Sequence, residues 1–188
     1  MSSSVTWKRV DRNMLDLLQK RRSIRRFAPQ PVDPAQLEAL VEALLRAPSS
    51  RGRNPWEFVV VTDPALLKAL SQAKQHGAEF LAGAPLAVVI AADPDRCDVW
   101  VEDCAIAAII LQLTAVSLGL GSCWVQIRLR PHGDGRSAEA YVREVVGLPE
   151  HLVVDAIIGI GHPGEVKPGH SRSGLPFAKV HRDRFKGG

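Results

Sequence analysis

The stretch from Cys97 to Leu118 constrains this chain more than any other. Between Cys104 and Leu118 it is apolar almost all round, and Asp103 and Gln112 are the main interruptions. A surface helix carries one apolar stripe, whereas a helix apolar on every side needs cover on every side. The pattern predicts one long helix over residues 97–118, buried on most of its faces. A single neighbouring sheet in a chain of 188 residues covers only one of those faces, so a second subunit is expected to pack on it. The longest apolar run, Cys104–Leu113, is broken by Gln112 and is too short to span a bilayer. No membrane segment is expected. Nor does the start, Met1 to Arg9, place an apolar segment after a basic one, so no signal peptide is read there.

Other elements follow from periodicity and caps. Residues 10–22 read as a short helix with Val10, Met14, Leu17 and Leu18 on one face and basic residues in its last turn. Asp33 as N-cap and Pro34 at the first position open a helix faced by Leu37, Leu40, Val41, Leu44 and Leu45, and Pro48 stops it. Ser49–Pro55 is a polar loop, Trp56–Thr62 a strand, and Asp63-Pro64 opens a helix to about Gln75. Leu86–Ala92 is wholly apolar, the pattern of a central strand covered on both faces. After the long helix come a strand (Ser122–Ile127), a helix (Ser137–Val146) and a last strand (Val153–Ile160). This alternation gives an α/β or α+β class with a sheet of about four or five strands. No repeat or linker divides the chain. Residues 1–188 are expected to form one domain, with a basic arm from about residue 162.

The net charge of +4 is unevenly spread: residues 8–26 carry +6, the tail from residue 162 carries +4, and the middle is acidic. Two basic ends suggest an anionic partner such as a phosphate. Nucleic acid is a poor fit, because one Tyr and five Phe supply no stacking platform and no recognition-helix pattern is present. The three cysteines, Cys97, Cys104 and Cys123, are odd in number and form no CxxC pair, which fits a reducing cytoplasm. The six histidines show neither HExxH nor zinc spacing with cysteine, so no protein-ligated metal is expected. No GxSxG, Walker A or GxGxxG motif is present, and Cys123 reads as a small core residue. With no obvious side-chain catalyst, a bound cofactor is expected to carry the chemistry.

Three segments suit such a cofactor. Arg21-Arg22-Ser23 offers guanidinium forks and a hydroxyl to a phosphate. The loop Pro48-Ser49-Ser50-Arg51-Gly52-Arg53-Asn54 offers polar groups to a ring edge or a ribityl chain. Gly119-Leu-Gly-Ser-Cys-Trp124-Val125-Gln126 brings backbone near something flat, with Trp124 and Val125 as apolar surface. Taken singly, each is more simply read as a solvated helix end, an ordinary loop and a helix C-cap.

Together and in this order, they resemble the FMN-dependent nitroreductase family, from about Met14 to His181. Arg21 to Phe27 is similar to the family's opening Arg-Arg-Ser motif, and Ala47-Pro-Ser-Ser50 with Pro55-Trp56 to its second. Glu102-Asp103 leading into the apolar helix and Gly-Leu-Gly-Ser-Cys-Trp resembles the third, and Gly159-Ile-Gly161-His-Pro163 the strand end before the C-terminal arm. Gly52 and Asn54 stand where relatives often have Asn and Gln, and Gln126 where Gly is common. The usual Lys-Pro-Arg run of the tail is not found, and Arg172 is taken as the counterpart of its phosphate-binding residue.

The resemblance implies an α+β three-layer fold: a mixed, mostly antiparallel sheet flanked by helices, in an intertwined homodimer. FMN would lie at the interface, with Arg21, Arg22 and Ser23 from one chain and Pro48, Ser49, Ser50 and Asn54 from its partner. Trp124, Val125 and Gln126 would meet the ring, and backbone N–H groups there would serve its N5 region. NAD(P)H would supply hydride and leave before an electron-poor nitroaromatic or quinone entered. Relatives devoted to another flavin reaction, such as reductive dehalogenation, carry a lid for which Gln75–Ala84 leaves no room.

Overall fold

The computed structural model describes residues 14–185 and 187. Val10 and the basic residues Lys8, Arg9 and Arg12 lie outside them. Helix α1 spans Met14–Lys20 and α2 spans Pro34–Leu45. The α2 start is a capping box: Asp33 accepts from Ala35 N, and Gln36 accepts from the Asp33 N–H at 3.1 Å. Strand β1 (Trp56–Val61), helix α3 (Pro64–Leu70) and strand β2 (Leu86–Ala92) follow. Helix α3 stops five residues before the expected Gln75. Then come α4 (Trp100–Ser117), β3 (Gly121–Gln126), α5 (Ala138–Val146) and β4 (Val153–Gly161).

The four strands form one sheet in the order β1-β2-β4-β3. Among the described residues every strand pairing is antiparallel, so the sheet is not mixed; the one parallel contact there is an isolated bridge between Ser23 and Ser122. Strand β2 is central and buried at all seven residues, as its unbroken apolar run requires. One core lies between the sheet and α2 with α4, and contains Leu40, Leu44, Leu111, Ile158 and Ile160. The second lies on the opposite face, with α3 and α5, and contains Leu67, Leu70, Val89, Val142 and Ile157. Three layers result.

Helix α4 departs from expectation. With 18 residues it is long and apolar enough to cross a membrane by length and composition, because Trp100, Val101 and Ala115–Ser117 extend the shorter run. Here it is a core helix, yet only one face is buried: Asp103, Cys104, Ala107, Ala108, Leu111, Gln112 and Ala115. Ile106 and Ile109 are each 38% exposed, and Val101, Leu113 and Val116 are half-buried. The single chain leaves the rest of this helix only partly covered.

Candidate active site

Edge strand β3 sets the geometry. In antiparallel pairing alternate residues bond the neighbouring strand, and the others turn their N–H and C=O groups outward. Ile127 N donates to Asp155 O on β4 at 3.2 Å, and Ile24 N donates to Ser122 O from the outer side at 3.0 Å. That phase turns Ser122, Trp124 and Gln126 to the outer edge. Ser23 and Ile24 cover only the first of these, so the main-chain donors of Trp124 and Gln126 stand beyond the covering segment. Gly121 is required for this crossing, since a Cβ there would lie 2.9 Å from the Ile24 side chain. Gly119, at φ +79°, is the left-handed residue that ends α4. The two glycines therefore serve the backbone. Val125 also differs from the sequence reading: its side chain is sealed in the α3–α5 core and its main chain faces β4.

The C-terminal arm runs back along Arg21–Phe27. Ala28 N donates to His162 O at 2.9 Å, Gly164 N to Arg26 O at 2.8 Å, and His170 N to Gln19 O at 3.1 Å. Lys167 Nζ donates to Ser23 O at 2.7 Å and pairs with Glu165 at 3.0 Å. Glu165 also accepts from the main-chain N–H groups of Arg25 and Arg26, at 2.6 and 3.3 Å. These N–H bonds, with Lys167, hold its carboxyl down at about 2. Burial pushes the Cys123 thiol up, against the pull of Arg25, a hydrogen bond with Ser23, Lys167 and Arg21. Ser23, Arg25 and Lys167 are thus brought together at the start of β3, with Arg21 two residues before Ser23 on the same segment. Arg22 instead donates to Pro168 O. The Arg172 guanidinium is 5.1 Å from the Phe177 ring centre, and Arg172 lines a cavity of about 370 Å³ with Leu18, Gln19, His170 and Leu175.

Pro48, Ser49, Ser50 and Asn54 form a second, separate cluster. Ser49 Oγ donates to Asn54 Oδ1 at 2.7 Å and accepts from Asn54 N at 2.9 Å, which closes the loop on itself. Arg51, Gly52 and Asn54 all have positive φ. Asp103, 3% exposed on α4, fastens the loop: one carboxylate oxygen accepts from Ser50 N at 2.9 Å and the other from Cys97 Sγ at 3.4 Å. Because this loop precedes Trp56, it lies at the opposite edge and the opposite end of the sheet from Ser122. Three inter-strand steps and six residue rises separate Trp56 from Ser122 by roughly 25 Å. Cations and a hydroxyl at one end, with main-chain donors along an open edge, fit a flat molecule bearing a phosphate. The polar loop is too distant to serve the same phosphate from the same chain.

The family model described as the nitroreductase family matches residues 18–78 and 68–162. The chain belongs to the nitroreductase family. A relative from Archaeoglobus fulgidus, whose name pairs NADH dehydrogenase with NAD(P)H nitroreductase, is 34% identical over 176 residues, covering 91% of this chain and 98% of that one. The NADPH-flavin oxidoreductase of Vibrio harveyi is 30% identical over 173 residues, covering 83% of this chain and 69% of its own. A solved structure of an FMN-dependent nitroreductase from Clostridium difficile R20291 superposes with a TM-score of 0.89 at 45% identity, covering 91% of this chain and 99% of that one.

Against the other nitroreductase motifs, one residue and the role of another escaped the sequence reading. Lys167 is followed by Pro168, so the first two residues of the Lys-Pro-Arg run were present five positions before Arg172. Asp103 was legible as part of a motif, but its hold on Ser50 depends on how α4 crosses the loop, which no local pattern encodes.

Proposed function

We propose that this nitroreductase is an FMN-dependent oxidoreductase that takes hydride from NAD(P)H and passes it to a nitroaromatic or a quinone. The observation that carries the reading is the union, at one sheet edge, of Ser23 and Lys167 with the outward main-chain donors of Trp124 and Gln126, next to the Arg21-Arg22 pair that leads into Ser23. The names of the relatives from Vibrio harveyi and Clostridium difficile, an NADPH-flavin oxidoreductase and an FMN-dependent nitroreductase, support it.

Bound FMN supplies a two-electron carrier at its N5 position. The protein's share is placement and charge. Arg21, Lys167 and the Ser23 hydroxyl would hold the phosphate by charge-assisted hydrogen bonds. The N–H groups of Trp124 and Gln126 would orient the ring through its polar edge. Arg25, in the same cationic cluster, would balance negative charge gathered on reduction. The loop Pro48–Asn54 would approach from a partner chain. Support for a homodimer comes from large apolar side chains that one chain leaves exposed: Ile106 and Ile109 on α4, Met14 on α1, and Phe177, Val180 and Phe185 on the arm. Three free, buried cysteines accord with a reducing compartment such as the cytoplasm.

The test is direct. The purified protein should be yellow and release FMN on denaturation, and initial rates with NAD(P)H and a quinone should give parallel double-reciprocal lines, since one pocket serves both in turn. Colourless protein that takes up no added flavin would refute the cofactor. Intersecting lines would refute the shared pocket.

A further inference from the structure

The end of β3 is held by more contacts than a strand end requires. Gln126 Oε1 accepts the indole N–H of Trp124 at 3.0 Å, and Gln126 Nε2 donates to the Arg128 carbonyl at 3.1 Å. An indole only donates and a carbonyl only accepts, so these two partners define which way the amide lies. Arg128 is itself fixed. Its N–H and that of Ile127 both donate to Asp155 O, at 2.9 and 3.2 Å, and its guanidinium sits 5.6 Å from the centre of the Trp100 ring on α4. Bringing the Arg128 carbonyl back toward Gln126 forces the chain to turn sharply. Leu129 follows at φ +59° while 76% exposed, a conformation that a branched, non-glycine residue adopts only when its surroundings impose it.

The residue so held is the one whose main-chain N–H stands farthest along the open edge of β3. We propose that Gln126 is a positioning residue: its clamped side-chain amide fixes the direction of its own main-chain N–H toward the flavin ring. This rests on the functional reading above, in which that edge receives the ring. The clamp is built from Trp124 on one side and the turn at Arg128 on the other, so it spans the two residues flanking the donor. Glycine at position 126 would retain the main-chain donor and lose the clamp. The geometry of hydride approach is sensitive to displacements near 1 Å, so a loosened donor is expected to slow reduction of the flavin more than it weakens flavin binding.

The experiment compares the wild type with Gln126→Met, which keeps length and apolar bulk without the amide, with Trp124→Phe, which removes the indole donor, and with the double variant. In the flavin-free protein, hydrogen exchange over residues 124–130 should rise about tenfold in each single variant and no further in the double, because both break one clamp. With FMN bound, the visible absorption bands should shift and the rate of reduction by NAD(P)H should fall about tenfold, while the FMN dissociation constant changes less than about threefold. Effects of the two substitutions that multiply would overturn the clamp. Unchanged exchange and rates would overturn it as well, and a loss of FMN affinity equal to the loss of rate would assign Gln126 to cofactor retention instead. A wild-type protein that binds no FMN would overturn the functional reading and this proposal with it; a flavin-loaded wild type with indifferent variants overturns this proposal alone.

Discussion

In the proposed site Arg21, Ser23 and Lys167 act on the flavin phosphate, and that assigns them a chemical signature. Riboflavin has the same ring and no phosphate. A charge-assisted hydrogen bond contributes roughly 1.5–3 kcal/mol, so Arg21→Ala and Lys167→Ala should each weaken FMN binding by about 10- to 150-fold and leave riboflavin nearly unaffected. Ser23→Ala should show the same selectivity at a smaller size, because a neutral hydroxyl contributes about 0.5–1.5 kcal/mol. Titration of each flavin into apo-protein measures this, and Arg172→Ala is the informative contrast. Its guanidinium lies over the Phe177 ring, engaged within the arm, so its loss should weaken FMN binding less. Equal losses for the two flavins would move these residues from the phosphate to the ring or to the fold. The Arg21–Ser23 motif was legible because three adjacent residues carry it. Lys167 was not, because its meaning comes from an arm that folds back across 144 positions of sequence to reach Ser23.

Among the elements, strands and caps were the most legible parts. Leu86–Ala92 matched its strand residue for residue, and Asp33 caps α2 as its position indicated; Ser137, read as the first residue of a helix, is the N-cap of α5. Less legible was anything requiring two elements to meet, such as the bulge in β4 where pairing with β2 skips Asp155. That residue is 2% exposed and its Oδ2 has no hydrogen-bond partner. Burial pushes its carboxyl up to about 6, against the pull of Arg128. An acid whose folded value exceeds its unfolded value of about 3.9 binds more protons when folded, so its contribution to stability falls as pH rises between about 4 and 6 and is level above. Glu165, with its depressed carboxyl, works in the opposite sense: its contribution is present above about 4.5 and is lost as pH falls toward 2. The difference between wild type and Asp155→Asn separates the two. Above pH 6 the amide variant should gain about 2–3 kcal/mol relative to wild type compared with pH 4, read from urea unfolding at each pH. A difference independent of pH would show that Asp155 ionises in the folded protein as freely as in the unfolded chain.

For the whole molecule, the decisive relation is between the two corners of the sheet. The Arg21–Ser23 corner and the Ser49–Asn54 loop lie at opposite edges and opposite ends of one sheet, so a site needing both must take them from different chains. The bare face of α4 gives such a partner somewhere to pack. The two-fold symmetry of the proposed homodimer would make a complementation test quantitative. One variant carries Arg21→Ala with Ser23→Ala, and the other replaces Ser49, Ser50 and Asn54 with Ala. Each homodimer has a defect in both sites. In a mixed dimer both defects fall in one site and the other is intact. After the two variants are unfolded together and refolded at equal concentration, half the dimers are mixed, so about a quarter of wild-type flavin binding and activity should return. If each site were built within one chain, every site in the mixture would keep one defect or the other, and mixing would restore nothing. Sedimentation of the same samples should give a dimer at micromolar concentration, and a flavin-loaded monomer of 20.5 kDa would contradict the shared site at once. The residue-scale measurement fixes which contacts the phosphate feels. Complementation adds what no single-chain variant can: whether the polar loop tied down by Asp103 serves the chain that carries it or the chain beside it.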